Sequence, residues 1–132
     1  MAHLDETEFD EFDLKHRLWT TQAVDARLRA TFHPRDIPDA AVLLAGLVGE
    51  IPDADTEASD LGTLRLMLDA IKVSEGDLRK LALWIEVAHR DPRDLVAAAE
   101  YRRELSEPTQ QAREADLAEY LLWLSDPDTP LH

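Results

Sequence analysis

Residues 74–90, SEGDLRKLALWIEVAHR, carry the pattern that decides the fold class. Their apolar side chains recur at alternating steps of three and four. The resulting stripe consists of Leu78, Leu81, Ile85 and Ala88. At 3.6 residues per turn this spacing keeps one face apolar, which is typical of an amphipathic α-helix packed against a core. Ser74 with Asp77 three positions later resembles a helix-capping arrangement, so the stretch also contains its own start signal.

The same periodicity covers most of the chain, and no segment alternates as a half-buried strand would. We expect helices at residues 9–32, 38–49, 60–73, from 78, from 92 and at 106–124, with residues 50–60 as the clearest loop. The helix over residues 38–49 is apolar nearly all round, which predicts a central position. The sequence therefore predicts an all-α, single-domain bundle of five to six helices over residues 1–132, with residues 1–8 and 126–132 frayed or extended.

A short internal similarity offers a second packing arrangement. Residues 77–85 (DLRKLALWI) match residues 116–124 (DLAEYLLWL) at an offset of 39 positions. Such a period fits an array of helical hairpins. No third copy occurs around Pro38, so repeat-like hairpin packing remains an alternative to a simple bundle.

The charge of the chain points to a protein partner. The sequence has 28 acidic and 14 basic residues, a net charge of −14, and residues 1–13 hold six of the acids and no Lys or Arg. This field repels phosphate backbones and anionic lipids, so we expect neither direct nucleic-acid binding nor membrane binding. A basic protein surface is the predicted partner. The candidate contacts are Asp5, Glu6, Glu8, Asp10, Glu11 and Trp123. The alternatives are that the acids keep the protein soluble or favour a helix N-terminus, and that Trp123 packs in the core.

The cellular compartment is predicted from features that the sequence lacks. There is no cysteine, which fits a reducing environment. The N-terminus lacks the basic start of a signal peptide, and the longest apolar run, residues 40–48, is too short to cross a bilayer. We expect a cytoplasmic protein.

Few residues suggest catalysis. The four serines all fall at expected helix boundaries, where capping explains them, and the four glycines form no phosphate-binding pattern. Two acid–histidine pairs three residues apart resemble the ligand pairs of helical dimetal proteins. These low-ranking metal candidates are Asp13, His16, Glu86 and His89. The first pair has Asp where that architecture has Glu and is flanked by cations, so we assign no metal and no cofactor.

The leading hypothesis is therefore a non-enzymatic, acidic interaction module, such as a regulator, an adaptor or an immunity-type inhibitor. One alternative is a helical-bundle protein that binds a metal or uses it in catalysis through its His and carboxylate side chains. The other is a structural homo-oligomer, for example a homodimer assembled through exposed Leu and Trp side chains.

Overall fold

A computed structural model describes residues 14–48 and 56–125, with the side chains of the second range described from residue 61. Within these ranges the chain is helical and contains no strand, which confirms the all-α bundle. The helices are α1 (Thr21–Thr31), α2 (Ile37–Ala45), α3 (Thr56–Ser74), α4 (Leu78–Arg90), α5 (Pro92–Glu100), α6 (Arg102–Ser106) and α7 (Gln110–Ser125), and a 3-10 turn (Pro34–Asp36) leads into α2. Their number exceeds the expected six because residues 92–106 form two helices instead of one.

The central helix is α3, which packs against α1, α4 and α5. Its fully buried apolar residues are Leu66, Leu68, Ala70 and Ile71. The prediction that the helix over residues 38–49 is central is wrong. That helix, α2, buries Ala40 and Leu44 but leaves Val42 73% exposed. An apolar helix of nine residues has only two or three turns to bury, and α3, at nineteen residues, has neighbours on several sides.

The expected continuous helix over residues 9–32 is interrupted at residues 17–20. Thr20 adopts an extended backbone conformation, and its side-chain oxygen accepts a hydrogen bond from the Ala23 amide, which makes it the N-cap of α1. Trp19, 3% exposed, packs into the core from the preceding turn. Phe9 and Phe12, in the first part of that expected helix, lie outside the described residues.

The starts of three other helices show where local sequence signals locate a helix boundary correctly and where they do not. Asp91 caps α5 by accepting from the Arg93 amide, with Pro92 at the first helical position, as expected. The cap of α4 is Asp77, whose carboxylate accepts from the amides of residues 79 and 80, and is not Ser74. Ser74 donates to a carbonyl of α3 instead. Residues 56–60, expected in the loop, already belong to α3.

The turn between α3 and α4 depends on Gly76. Its φ of +81° lies in the left-handed region, and an added Cβ would stand 2.5 Å from the Thr31 carbonyl oxygen. The end of α1 therefore packs directly against this turn.

The two similar stretches occupy different structural positions. Asp77 is an exposed helix cap, whereas Asp116 is buried inside α7, two turns after that helix begins. Equivalent repeats would place these residues alike, so the structure gives the repeat-like arrangement no support. No described helix is long and apolar enough to cross a membrane.

Candidate functional site

A buried group of polar side chains, here called the Glu100 cluster, joins four parts of the bundle. Its members are Lys15, Trp19, Arg65, Asp69, Glu100 and Tyr120. They come from the segment at residues 14–20, which is helical up to residue 16, and from α3, α5 and α7. All except Arg65 are at most 3% exposed.

Two cations bind the carboxylate at the centre of the cluster. Arg65 donates from Nε to Glu100 Oε2 and from Nη2 to Oε1, each over 2.7 Å. Lys15 Nζ donates to the same Oε1 over 2.9 Å and to the Tyr101 hydroxyl over 3.1 Å. Bidentate and charge-assisted hydrogen bonds of this kind are among the strongest in proteins.

The surroundings of the second carboxyl group of the cluster favour its protonated form. Burial, together with the charge of Glu100, raises the pKa of Asp69 well above its ordinary value. Asp69 Oδ1 accepts from the Tyr120 hydroxyl over 2.5 Å, and this hydroxyl accepts from Trp19 Nε1 over 3.0 Å. No donor reaches Asp69 Oδ2. A protonated carboxyl group is a donor as well as an acceptor, and a side-chain hydrogen bond with Glu100 contributes both to the raised pKa of Asp69 and to the lowered pKa of Glu100.

Glu100 itself stays ionised. Burial by itself would raise its pKa, but hydrogen bonds from Asp69 and Arg65 and the charges of Arg65 and Lys15 outweigh burial and lower the pKa to about 2. Burial by itself would lower the pKa of Lys15, but the charge of Glu100 and the hydrogen bond to it raise the pKa above its ordinary value. The Glu100 carboxylate is buried and is shared by two cations, so the cluster holds the segment at residues 14–20 together with α3, α5 and α7. The carboxylate is not accessible to a substrate as an acid or a base.

A second polar arrangement fixes the short helix α6. Asp116, 3% exposed, accepts hydrogen bonds from the amides of Arg103 and Glu104 at distances of 3.0 to 3.2 Å. Glu119, one turn further along α7, accepts from Lys72 over 3.1 Å and from Arg103 over 2.9 Å. Burial by itself would raise the pKa of Glu119, but these two cations lower it. The start of α6 is thus tied to α7 by carboxylates.

One surface groove of about 640 Å³ is lined by residues of α4, α6 and α7, together with the end of α3 and Ala98 of α5, and is here called the apolar groove. Leu83, Leu105 and Leu122 line it and are 55%, 65% and 54% exposed. They are three of the six large hydrophobic side chains that are exposed in the described part of the chain. The half-buried ring of Trp84 adds aromatic surface. The helical spacing of Leu95, Ala98 and Ala99 would place Leu105 on the same inward face, but the chain leaves helical geometry at Tyr101, and Leu105 on α6 is exposed.

Charged side chains surround the apolar groove. Its lining includes Lys80 and Arg102, whose side chains are 51% and 64% exposed. Lys72 lies deeper and pairs with Glu119. Glu75 and Glu119 also line the groove and pair with Lys80 and Arg102, so the groove combines apolar walls with a rim of paired charges.

The residues singled out from the sequence fall into three groups. Trp123 lines the apolar groove but is 2% exposed, with its ring 4.6 Å from the Arg27 guanidinium. On α4, Glu86 and His89 are exposed, and His16 is half-buried at the end of the helical residues 14–16. The described residues contain no group of three or more His, Asp or Glu side chains that could hold a metal ion. Asp5, Glu6, Glu8, Asp10, Glu11 and Asp13 lie outside the described residues.

Comparison with known proteins gives no relative. No protein-family model matches the chain, and neither the curated proteins nor the solved structures contain a match to it.

Proposed function

We propose that this chain is a non-enzymatic protein-interaction module whose binding site is the apolar groove. The supporting observation is the concentration of Leu83, Leu105 and Leu122 around one concave surface. Scattered exposed hydrophobic residues need no explanation, but a contiguous set in a groove is typical of an interaction site. A partner segment that presents several apolar side chains on one face fits such a groove.

We further propose that the partner is basic. All 14 basic residues of the chain lie within residues 14–48 and 56–125, together with 17 of the 28 acidic ones. The other 11 acids belong to residues 1–13, 49–55 and 126–132, which contain no Lys or Arg. The negative field thus comes mostly from these three segments, and it would attract a basic protein towards the bundle. Asp5, Glu6, Glu8, Asp10 and Glu11 are the proposed steering charges. A regulator, adaptor or immunity-type inhibitor in the cytoplasm fits this description.

The test compares groove variants with a matched surface variant. Leu83→Asp combined with Leu122→Asp places charge in the groove at two positions that are more than half exposed, so the core is left intact. Val42→Asp is the control, because Val42 is even more exposed and lies on α2, away from the groove. Each protein is used as bait in a lysate of the source organism, and captured proteins are quantified by mass spectrometry.

We expect a basic protein that the wild type and Val42→Asp retain and the groove variant loses. Raising the salt concentration should release it from all baits, because screening removes the attraction of the acidic segments. Capture of the same proteins by all three baits would contradict the proposal. A solution mass that corresponds to a dimer for the wild type but to a monomer for the groove variant would identify the groove as a self-association site instead.

A further inference from the structure

The short helix α6 differs from the other described helices in how it is attached to the bundle. Each of the other six helices contributes at least two buried residues, whereas α6 contributes none. Its residues Arg102, Leu105 and Ser106 are exposed, and Arg103 and Glu104 are half-buried. Burial of apolar surface is the main force that holds a helix in a core, so α6 is held by other contacts.

The contacts that hold α6 are polar and are made with α7. The amides of Arg103 and Glu104 donate to the Asp116 carboxylate over 3.0 to 3.2 Å. The Arg103 guanidinium donates to Asp116 over 3.1 Å and to Glu119 over 2.9 Å. Arg102 lies 3.6 Å from Glu119. The side chains of Arg103 and Arg102 are 40% and 64% exposed, so water and salt weaken these ion pairs.

Non-helical residues flank α6 on both sides. Tyr101 has a φ of −131° and a ψ of 30°, and Glu107 has a φ of −144° and a ψ of 90°. These two residues are the positions at which a change in backbone angles rotates α6 while α5 and α7 keep their own geometry. Tyr101 provides a fixed end, because its hydroxyl accepts from the buried Lys15 over 3.1 Å.

The same helix forms one wall of the apolar groove. Leu105 is the large apolar side chain that α6 contributes to the lining, and it is 65% exposed. The other two exposed leucines of the groove, Leu83 and Leu122, belong to α4 and α7, and both of these helices bury core residues. A displacement of α6 relative to α7 therefore changes the width of the groove without opening the core.

We propose that α6 is a hinged wall of the apolar groove, which separates from α7 as a unit while the rest of the bundle stays folded. Its release breaks polar contacts but uncovers no buried side chain, so it occurs far more often than unfolding of the core. The functional consequence rests on the groove being the partner site proposed above. A partner segment that packs against Leu105 favours the docked position of α6, so binding closes the wall against the partner.

Native-state hydrogen exchange of the free, full-length protein tests the hinged unit without any partner. The amides of Arg103, Glu104, Leu105 and Glu107 are all hydrogen-bonded only while α6 is formed and docked. We expect one common opening equilibrium for these four amides, at least about a hundredfold larger than that of the buried Ile85 in α4. It should depend little on denaturant concentration, because opening exposes little apolar surface.

Arg103→Gln tests which contacts hold the wall, since it removes the guanidinium but keeps the amide that donates to Asp116. The opening equilibrium of all four amides should rise about three- to tenfold. Arg29→Gln is the matched control, because Arg29 forms an exposed ion pair with Asp25 within α1, and it should leave the exchange of α6 unchanged.

Two exchange patterns would overturn the proposal. If the four amides share the opening equilibrium and denaturant dependence of Ile85, α6 unfolds only together with the core. If their opening equilibria differ from one amide to the next, α6 frays residue by residue and is not a unit.

The protein captured by the wild-type bait then tests closure of the wall. At saturation, the α6 amides should exchange at least about tenfold more slowly than in the free chain, because the partner binds the docked form. Unchanged α6 exchange in a complex that Leu83→Asp with Leu122→Asp abolishes would show that the wall does not close on the partner. If no bait retains a groove-dependent partner, the proposed function fails, while a common opening of α6 in the free chain still establishes the hinged unit.

Discussion

Lys15 Nζ donates to Glu100 Oε1 over 2.9 Å, although 85 positions separate the two residues in the sequence. Both side chains are almost completely excluded from solvent. The pair joins the segment at residues 14–20 to the end of α5, beside the start of α6. A tertiary contact between two charged side chains thus links two distant parts of the sequence.

Replacing the shared carboxylate should destabilise the bundle strongly. Glu100→Gln removes the negative charge that Lys15 and Arg65 share and leaves their positive charges together in the core. Breaking a buried ion pair in this way costs about 3–5 kcal/mol. Glu75→Gln is the control, because Glu75 pairs with Lys80 at the surface, where such pairs contribute about 0–1 kcal/mol. Urea unfolding of both variants measures the difference. Equal losses would show that the cluster contributes no more than a surface pair.

The pH dependence of stability should separate the two carboxyl groups of the cluster. Glu100 has a folded-state pKa of about 2 against an ordinary 4.5, so its contribution is present above pH 4.5 and is lost as the pH falls towards 2. Asp69 behaves in the opposite way, because its pKa is raised from 3.8. The folded state keeps a proton that the unfolded state releases, so its contribution declines as the pH rises above 3.8, by at most about 1.4 kcal/mol per pH unit.

Asp69→Asn tests this assignment. The amide nitrogen can donate to Glu100 and the amide oxygen can accept from Tyr120, as the protonated acid does, without taking up a proton. We expect the variant to be more stable than the wild type at neutral pH, with the gain shrinking as the pH falls towards 3.8. Unfolding free energies measured between pH 3 and 8 provide the comparison. Parallel curves for the two proteins would show that Asp69 is ionised in the fold.

The contributions of Trp19 and Tyr120 to the stability of the fold should depend on each other, because the two side chains share a hydrogen bond. Tyr120→Phe takes the donor from Asp69 Oδ1 and the acceptor from Trp19 Nε1, and loss of a partner for a buried polar atom costs about 1–3 kcal/mol. In a double-mutant cycle with Trp19→Phe, the losses in unfolding free energy of the two single variants should sum to more than the loss of the double variant. Both single changes break the same hydrogen bond between Trp19 and Tyr120, which the double variant can lose only once. A matching cycle of Tyr120→Phe with Val42→Ala should be additive. Additivity in both cycles would contradict the hydrogen bond.

The parts of the fold that were predictable from sequence depend on neighbours within one helical turn. The α4 stripe of Leu81, Ile85 and Ala88 is buried as its spacing predicts, and Asp91 caps α5. These features need only a period of 3.6 and a side-chain oxygen beside the first amides. Leu105 shows the limit. Its spacing continues the α5 face, but the backbone break at Tyr101 turns it to the surface.

The Glu100 cluster was missed because its pairing is tertiary. Nothing local joins Lys15 to Glu100 or Arg65. One signal was available: Asp69 lies between Leu68 and Ala70 in an apolar stretch, and all three are buried. An acid in such a position needs a proton, a cation or a donor, so it indicates a buried polar partner without identifying it. The apolar groove was equally hidden, since Leu83, Leu105 and Leu122 meet only when α4, α6 and α7 pack.

The last prediction concerns Asp116, a buried residue of α7 that holds the start of α6 beside the apolar groove. Its carboxylate accepts from the amides of Arg103 and Glu104 at the start of α6, a five-residue helix that carries Leu105 into the groove. So short a helix depends on its cap, and Asp116→Ala should cost about 1–2 kcal/mol. The amides of Arg103 and Glu104 should exchange with solvent faster, and partner affinity should fall, because one wall of the groove is no longer held. Glu119→Ala is the control for the amide exchange, since it removes ion pairs with Lys72, Arg102 and Arg103 but leaves the Asp116 carboxylate in place. Unchanged exchange of those two amides in Asp116→Ala would mean that α6 is held by its packing alone.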